Sequence, residues 1–124
     1  MKYDVTDFET QVVERSRVVP VVVDFWAQWC SPCRVLGPVL EKLSEENDGR
    51  WDLAKVDTDM MPEIAMQYGV RSIPAVKLFI DGTVVSEFVG AQPEHAIRKW
   101  LDAYIPPAES KETEQAEKLL SQGK

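Results

Sequence analysis

The run Val-Val-Pro-Val-Val-Val-Asp-Phe-Trp at residues 18–26 is the stretch that most restricts how this chain can fold. β-Branched residues dominate it and nothing polar alternates with them, which is the pattern of a strand covered on both faces. Pro20 has no N–H to give to a ladder, so it belongs at the strand's start. A strand of this kind needs a layer of structure on each side, and the 124 residues give room for one domain with a proper core.

The segments that follow supply those layers. From Cys33, Leu36, Val39, Leu40 and Leu43 recur at i, i+3, i+4 and i+7, the spacing of an amphipathic helix. Pro38 lies inside that pattern, removes one backbone bond and crowds the carbonyl of Arg34, so one kinked helix is expected rather than two. Asn47-Asp48-Gly49 turns the chain. Residues 53–57 read as a second strand. Asp59 is then expected to cap a helix with Pro62 in its first turn, Met61, Ile64, Ala65 and Tyr68 on one face, and Gly69 as its stop. Strand, helix, strand in this order implies a βαβ unit with parallel pairing. Residues 75–80 and 83–89 form a hairpin around Asp81-Gly82. A last helix over residues 93–105 presents Ile97, Trp100, Leu101 and Tyr104. At the other end, residues 6–15 read as a short helix capped by Thr6 with Glu9 three residues on, and residues 3–5 as a short edge strand.

Beyond Pro106-Pro107 the composition changes. Residues 108–124 are charged and polar, with Ala116, Leu119 and Leu120 as anchors, too little to bury as part of a core. A domain boundary is therefore expected there, separating residues 1–106 from a tail at 107–124.

Cys30 and Cys33 are the only two cysteines. At i and i+3 on a helix start they lie on one side, near enough to close a disulfide. Cys30, at the helix N-terminus, is the better nucleophile, because unsatisfied N–H groups and the macrodipole stabilise a thiolate. Cys33, one turn in, is expected to be more buried and to resolve the mixed disulfide. Pro32 suits the first turn, where a missing donor costs nothing. A zinc site needs four ligands, and His95 is the one histidine available beside the pair; two independent buried thiols is the other alternative. Asp24 has two readings: a buried carboxyl of raised pKa that exchanges a proton with Cys33, or a strand-end aspartate bonded to backbone or solvent. Trp29, beside Cys30, either contacts substrate or packs. His95 is expected at the surface without a role. Pro74 follows Ile73 just before a strand, and since cis makes up only about 5% of X–Pro bonds, trans is the first-principles expectation.

A net charge of −7 counts against nucleic-acid and anionic-membrane partners, and no apolar stretch is long enough to span a bilayer. Met1-Lys2-Tyr3-Asp4 has no apolar signal core, which gives the expectation of a cytoplasmic protein.

Val23-Asp24-Phe25-Trp26-Ala27 running into Trp29-Cys30-Ser31-Pro32-Cys33 closely resembles the thioredoxin family. Pro38, the Ala54-Lys55-Val56-Asp57 strand, the Gly69-Val70-Arg71-Ser72-Ile73-Pro74 loop, the Asp81-Gly82 hairpin and Val89-Gly90-Ala91 continue the match in order. The resemblance implies an α/β thioredoxin fold, a central mixed sheet of four to five strands flanked by helices. It implies a cis Pro74 opposite the dithiol, Asp24 as buried acid/base with Lys55 as its charged neighbour, and Gly90, Ala91, Trp29, Ser72 and Ile73 as a docking rim around Ser31 and Pro32. The implied activity is reduction of protein disulfides by a monomer without a cofactor, with electrons drawn from a thioredoxin reductase.

Two departures stand out. Ser31 replaces the family's usual glycine and adds a hydroxyl near the thiolate, leaving the reduction potential open. Residues 114–123 resemble the start of a tetratricopeptide unit, so the chain reads either as a redox domain leading into helical repeats or as one with a plain tail. The alternative to a reductase is a holdase or adaptor that forms mixed disulfides with clients; a disulfide-forming oxidase is a third reading.

Overall fold

Six residues of the apolar run, Val21–Trp26, form the central strand β1 of the computed structural model, which describes residues 2–106. All but Trp26 are buried, as an unalternating strand requires. The strand begins three residues later than the run. Val18 is exposed, and the N–H groups of Val18 and Val19 bond the Arg15 carbonyl at 2.9 and 3.1 Å, finishing the preceding helical turn.

The remaining elements are helix α1 (Ser31–Glu46), strand β2 (Asp52–Asp57), helix α2 (Pro62–Gln67), strands β3 (Ala75–Ile80) and β4 (Thr83–Val89), and helix α3 (Glu94–Tyr104). The sheet has the order β2-β1-β3-β4. β1 runs parallel to β2, with α1 as the crossover, and antiparallel to β3; β3 and β4 are antiparallel. It is the mixed, helix-flanked sheet of the thioredoxin fold. Asp81 and Gly82 both take positive φ, 55° and 85°, which a two-residue hairpin loop of matching twist demands.

Two cores follow from the period of β1. Val22 faces Leu36 and Leu40 of α1 and Ile97 and Leu101 of α3. Val21, Val23 and Phe25 face the other way, onto Phe8, Val12 and Phe79, with Ile64 and Tyr68 of α2 packed alongside. There Phe8, Tyr68 and Phe79 form an aromatic trio with ring centres 5.3 to 5.7 Å apart.

The N-terminal segment departs from expectation in two ways. Its helical part is a π-helical turn, Glu9–Glu14, tightening into a 3-10 turn, Arg15–Arg17. Asp7, not Thr6, caps it: Asp7 Oδ1 accepts the Thr10 N–H at 3.2 Å, and Gln11 Oε1 reaches back to the N–H groups of Thr6 and Asp7, both at 2.7 Å. A carboxylate is the stronger acceptor for an orphan N–H. The expected edge strand at residues 3–5 is one parallel bridge between Asp4 and Lys55, flanked by Val5 N–H to Lys55 O at 2.9 Å and Lys55 N–H to Tyr3 O at 2.8 Å. Pairing stops because the chain turns into the Asp7 cap. The tail at 107–124 lies outside the described residues.

Between α1 and β2, buried Asn47 closes the loop by donating from Nδ2 to Trp51 O at 3.0 Å and accepting Trp51 N–H at 3.2 Å. Asn47→Ala leaves both backbone groups of a buried tryptophan unpaired and is expected to cost about 2 kcal/mol of stability. Urea unfolding checks it; an unchanged midpoint would contradict the assignment.

Candidate active site

β1 delivers the chain to Ala27, which is buried, and a tight turn through Gln28 and Trp29 brings Cys30 N–H to 3.2 Å from Ala27 O. Cys30 is the N-cap of α1. Its backbone is extended (φ −91°, ψ 108°), and its Sγ accepts the Cys33 N–H at 3.2 Å. A sulfur at a helix N-cap is an unusual acceptor, and it faces the positive end of a 16-residue helix that runs unbroken past Pro38. Cys30 and Cys33 are joined as a disulfide with Cα atoms 5.3 Å apart, so they are not two independent thiols. The expected difference in burial is not there: Cys30 is 4% and Cys33 3% exposed. The cap position of Cys30 distinguishes the two.

Ile73 packs on the dithiol, and its carbonyl oxygen lies 3.8 Å from Cys30 Sγ. The Ile73–Pro74 bond is cis, against the first-principles expectation and in line with the family resemblance. Pro74 O accepts Gly90 N–H at 2.8 Å, which draws the β4–α3 turn against the same loop. Gly90 has φ 93°, a conformation open to glycine and costly for other residues. Ser31, Pro32, Ser72 and Ala91 are exposed around this centre, and Gly90 is half-buried.

Trp29 is 68% exposed, yet its indole is not loose: Nε1 donates to Asp59 Oδ2 at 3.0 Å. Asp59 therefore does not cap α2. Met61 occupies the cap position without a side-chain bond, and Asp57 Oδ1 takes the N–H groups of Asp59 and Met60 at 2.9 and 3.4 Å.

Asp24 is the register partner of Lys55 in the β1–β2 pairing and shares its face with Val22, the face α1 covers. It is 1% exposed, and neither carboxyl oxygen has a protein hydrogen-bond partner. Burial pushes its pKa up from 3.8 to about 7; Lys55 opposes the rise and Glu41 adds to it. The Lys55 ammonium is bonded to Glu41 Oε2 at 2.8 Å and lies 5.0 Å from the centre of the Trp26 ring. Such a carboxyl can take up and release a proton near neutral pH. His95 is exposed at the start of α3.

A family model described as Thioredoxin matches residues 1–103. This chain belongs to the thioredoxin family. It is 43% identical over 105 residues to the thioredoxin of Chlorobaculum thiosulfatiphilum, covering 83% of this chain and 95% of that one. It is 43% identical over 103 residues to thioredoxin 1 of Synechococcus elongatus (82% and 94% covered), and 40% over 107 residues to the thioredoxin of Rickettsia bellii (85% and 100%). Thioredoxins are disulfide oxidoreductases, and the Cys30–Cys33 pair makes this member an enzyme of thiol–disulfide exchange. Among the described residues no helix is long and apolar enough to cross a membrane.

Sequence reasoning missed Asp59 and Glu41 as neighbours of the site. Asp59 reads as a helix cap and Glu41 as an ordinary surface acid, and only the fold brings them to Trp29 and Lys55.

The raised pKa of Asp24 has a sign that can be checked. Between 3.8 and about 7 the folded protein holds a proton that the unfolded chain has lost, so stability falls as pH rises through this window and levels off above it. The shift corresponds to about 4 kcal/mol at full ionisation. Asp24→Asn is therefore expected to stabilise the protein at about pH 8 by up to that amount, with the advantage shrinking towards pH 4. Denaturant titrations at both pH values measure it, and an equal difference at both would contradict it.

Proposed function

We propose that this protein reduces protein disulfides through a mixed-disulfide intermediate. Reduced Cys30, as thiolate, attacks a substrate disulfide; a bond forms between Cys30 Sγ and one substrate sulfur, and the other leaves as a thiolate that takes up a proton. Cys33 then gives its proton to Asp24, attacks Cys30 Sγ, and releases the second substrate thiol. Two electrons pass from the dithiol to the substrate, and the protein is left with the Cys30–Cys33 disulfide. The observation that carries this reading is the N-cap geometry of Cys30, whose sulfur accepts a backbone N–H at 3.2 Å and would be held as a thiolate by the same donor.

The substrate lies as an extended segment along Ile73, with Trp29, Ser31, Pro32, Ser72, Pro74, Gly90 and Ala91 as its rim. The exposure of Trp29 and the Asp59 bond that orients it favour this placement. Lys55 moderates the charge of Asp24. A thioredoxin reductase returns the electrons to the dithiol, no cofactor of its own is required, and the protein works as a cytoplasmic monomer without nucleic-acid or membrane partners. Its organisation is a redox domain at 1–106 followed by a polar segment at 107–124, which reads either as the start of a tetratricopeptide-like repeat or as a plain tail.

In a coupled assay with reductase and a protein disulfide, Cys30→Ser is expected to lose at least about a thousand-fold in turnover. Cys33→Ser is expected to accumulate a covalent adduct with substrate, visible on non-reducing gels. Retained turnover in Cys30→Ser would overturn the proposal.

A further inference from the structure

The buried acid, its lysine and the solvent meet at Glu41. Two charged groups act on the Asp24 carboxyl: Lys55 from β2 and Glu41 from α1. Its β3 register partner is Val76, which is apolar, and on α1 buried Cys33 becomes a titratable thiol once the disulfide is reduced. Lys55 and Asp24 are register neighbours on one face of the sheet, so a direct ion pair between them would be the simple outcome. It does not form. Lys55 Nζ is bonded to Glu41 Oε2 at 2.8 Å, and both Asp24 oxygens are left without a protein partner.

Three features hold the ammonium in that place. The Trp26 ring lies 5.0 Å away and attracts a cation to its face. Gly37 of α1 leaves room for it, since a Cβ there would come within 3.2 Å of Lys55 Nζ. Glu41 supplies the charge that a largely buried ammonium needs. The Lys55 side chain is 15% and that of Glu41 40% exposed, and both line a cleft of about 620 Å³ together with Trp26, Gln28 and Met60. The ion pair thus stands between the buried carboxyl and the outside.

We propose that Glu41 is a positioning residue: it holds the Lys55 ammonium off the Asp24 carboxyl and so keeps that buried acid unpaired and able to accept a proton. This deepens the reading of Asp24 as the proton exchanger and rests on it. Without the Glu41 charge, Lys55 turns to its register neighbour, and a paired Asp24 gives up its proton too readily to serve near neutral pH.

The test is Glu41→Gln, an isosteric change at a half-exposed helix position, in the full chain. The Asp24 carboxyl is followed by carbon-detected NMR in the oxidised protein, and the pH profile of kcat/KM for disulfide reduction is measured alongside. The Asp24 midpoint is expected to fall by about one pH unit, and the acid limb of the profile to move down with it. In an Asp24→Asn background the added Glu41→Gln change is expected to shift nothing. An unmoved Asp24 midpoint overturns the proposal. A midpoint that falls while the kinetic limb stays put supports the pairing scheme and overturns instead the part assigned to Asp24 in the resolving step.

Discussion

A carboxyl sealed in the central strand without a hydrogen-bond partner is the constraint around which the rest of this structure is arranged. β1 must bury side chains on both faces because it runs between β2 and β3 and has helices above and below. Asp24 occupies one of those buried positions and holds its proton up to about pH 7. Burying an ionisable group costs stability, and Asp24 sits directly below the helix that carries the dithiol. The ammonium of Lys55 limits the penalty without neutralising it, because Glu41 competes for the same cation.

The site itself is gathered from segments far apart in the chain, and each is tied in by a bond that can be named. The turn after β1 is closed by Cys30 N–H on Ala27 O, and α1 starts from the Cys30 sulfur. The Ile73–Pro74 loop lies against that sulfur, and Gly90 is fastened to Pro74. Trp29 is steadied by Asp59 from the loop after β2. A large apolar side chain that is both exposed and oriented is suited to meeting another protein, since little freedom is lost when it is covered.

Much of this was legible in the residues. The unalternating run marked β1 as doubly buried, the i, i+3, i+4, i+7 spacing marked α1, and Asp81-Gly82 marked the hairpin, because each is a local pattern with one favourable conformation. What escaped was decided by competition or by distance. Asp7 outcompeted Thr6 as a cap since a carboxylate binds an N–H more strongly than a hydroxyl does. Val18 and Val19 were drawn into the end of a helical turn instead of the strand. Asp59 had the look of a cap for α2 but was claimed by an indole thirty residues away. The two readings of Asp24 could not be separated without knowing whether anything bonded it, and Glu41 carried no signal because its partner lies on a neighbouring strand. The cis bond at Pro74 was accessible through family resemblance and not through local physics.

The claim on which the account turns is that Asp24 is an unpaired buried acid that changes protonation near neutral pH. Direct titration of its carboxyl in the oxidised wild-type protein, by infrared difference spectroscopy or carbon-detected NMR, tests this most simply. A midpoint near the value of about 7 is expected. A midpoint at the ordinary 3.8 would mean that the carboxyl is solvated or paired, and would contradict the account.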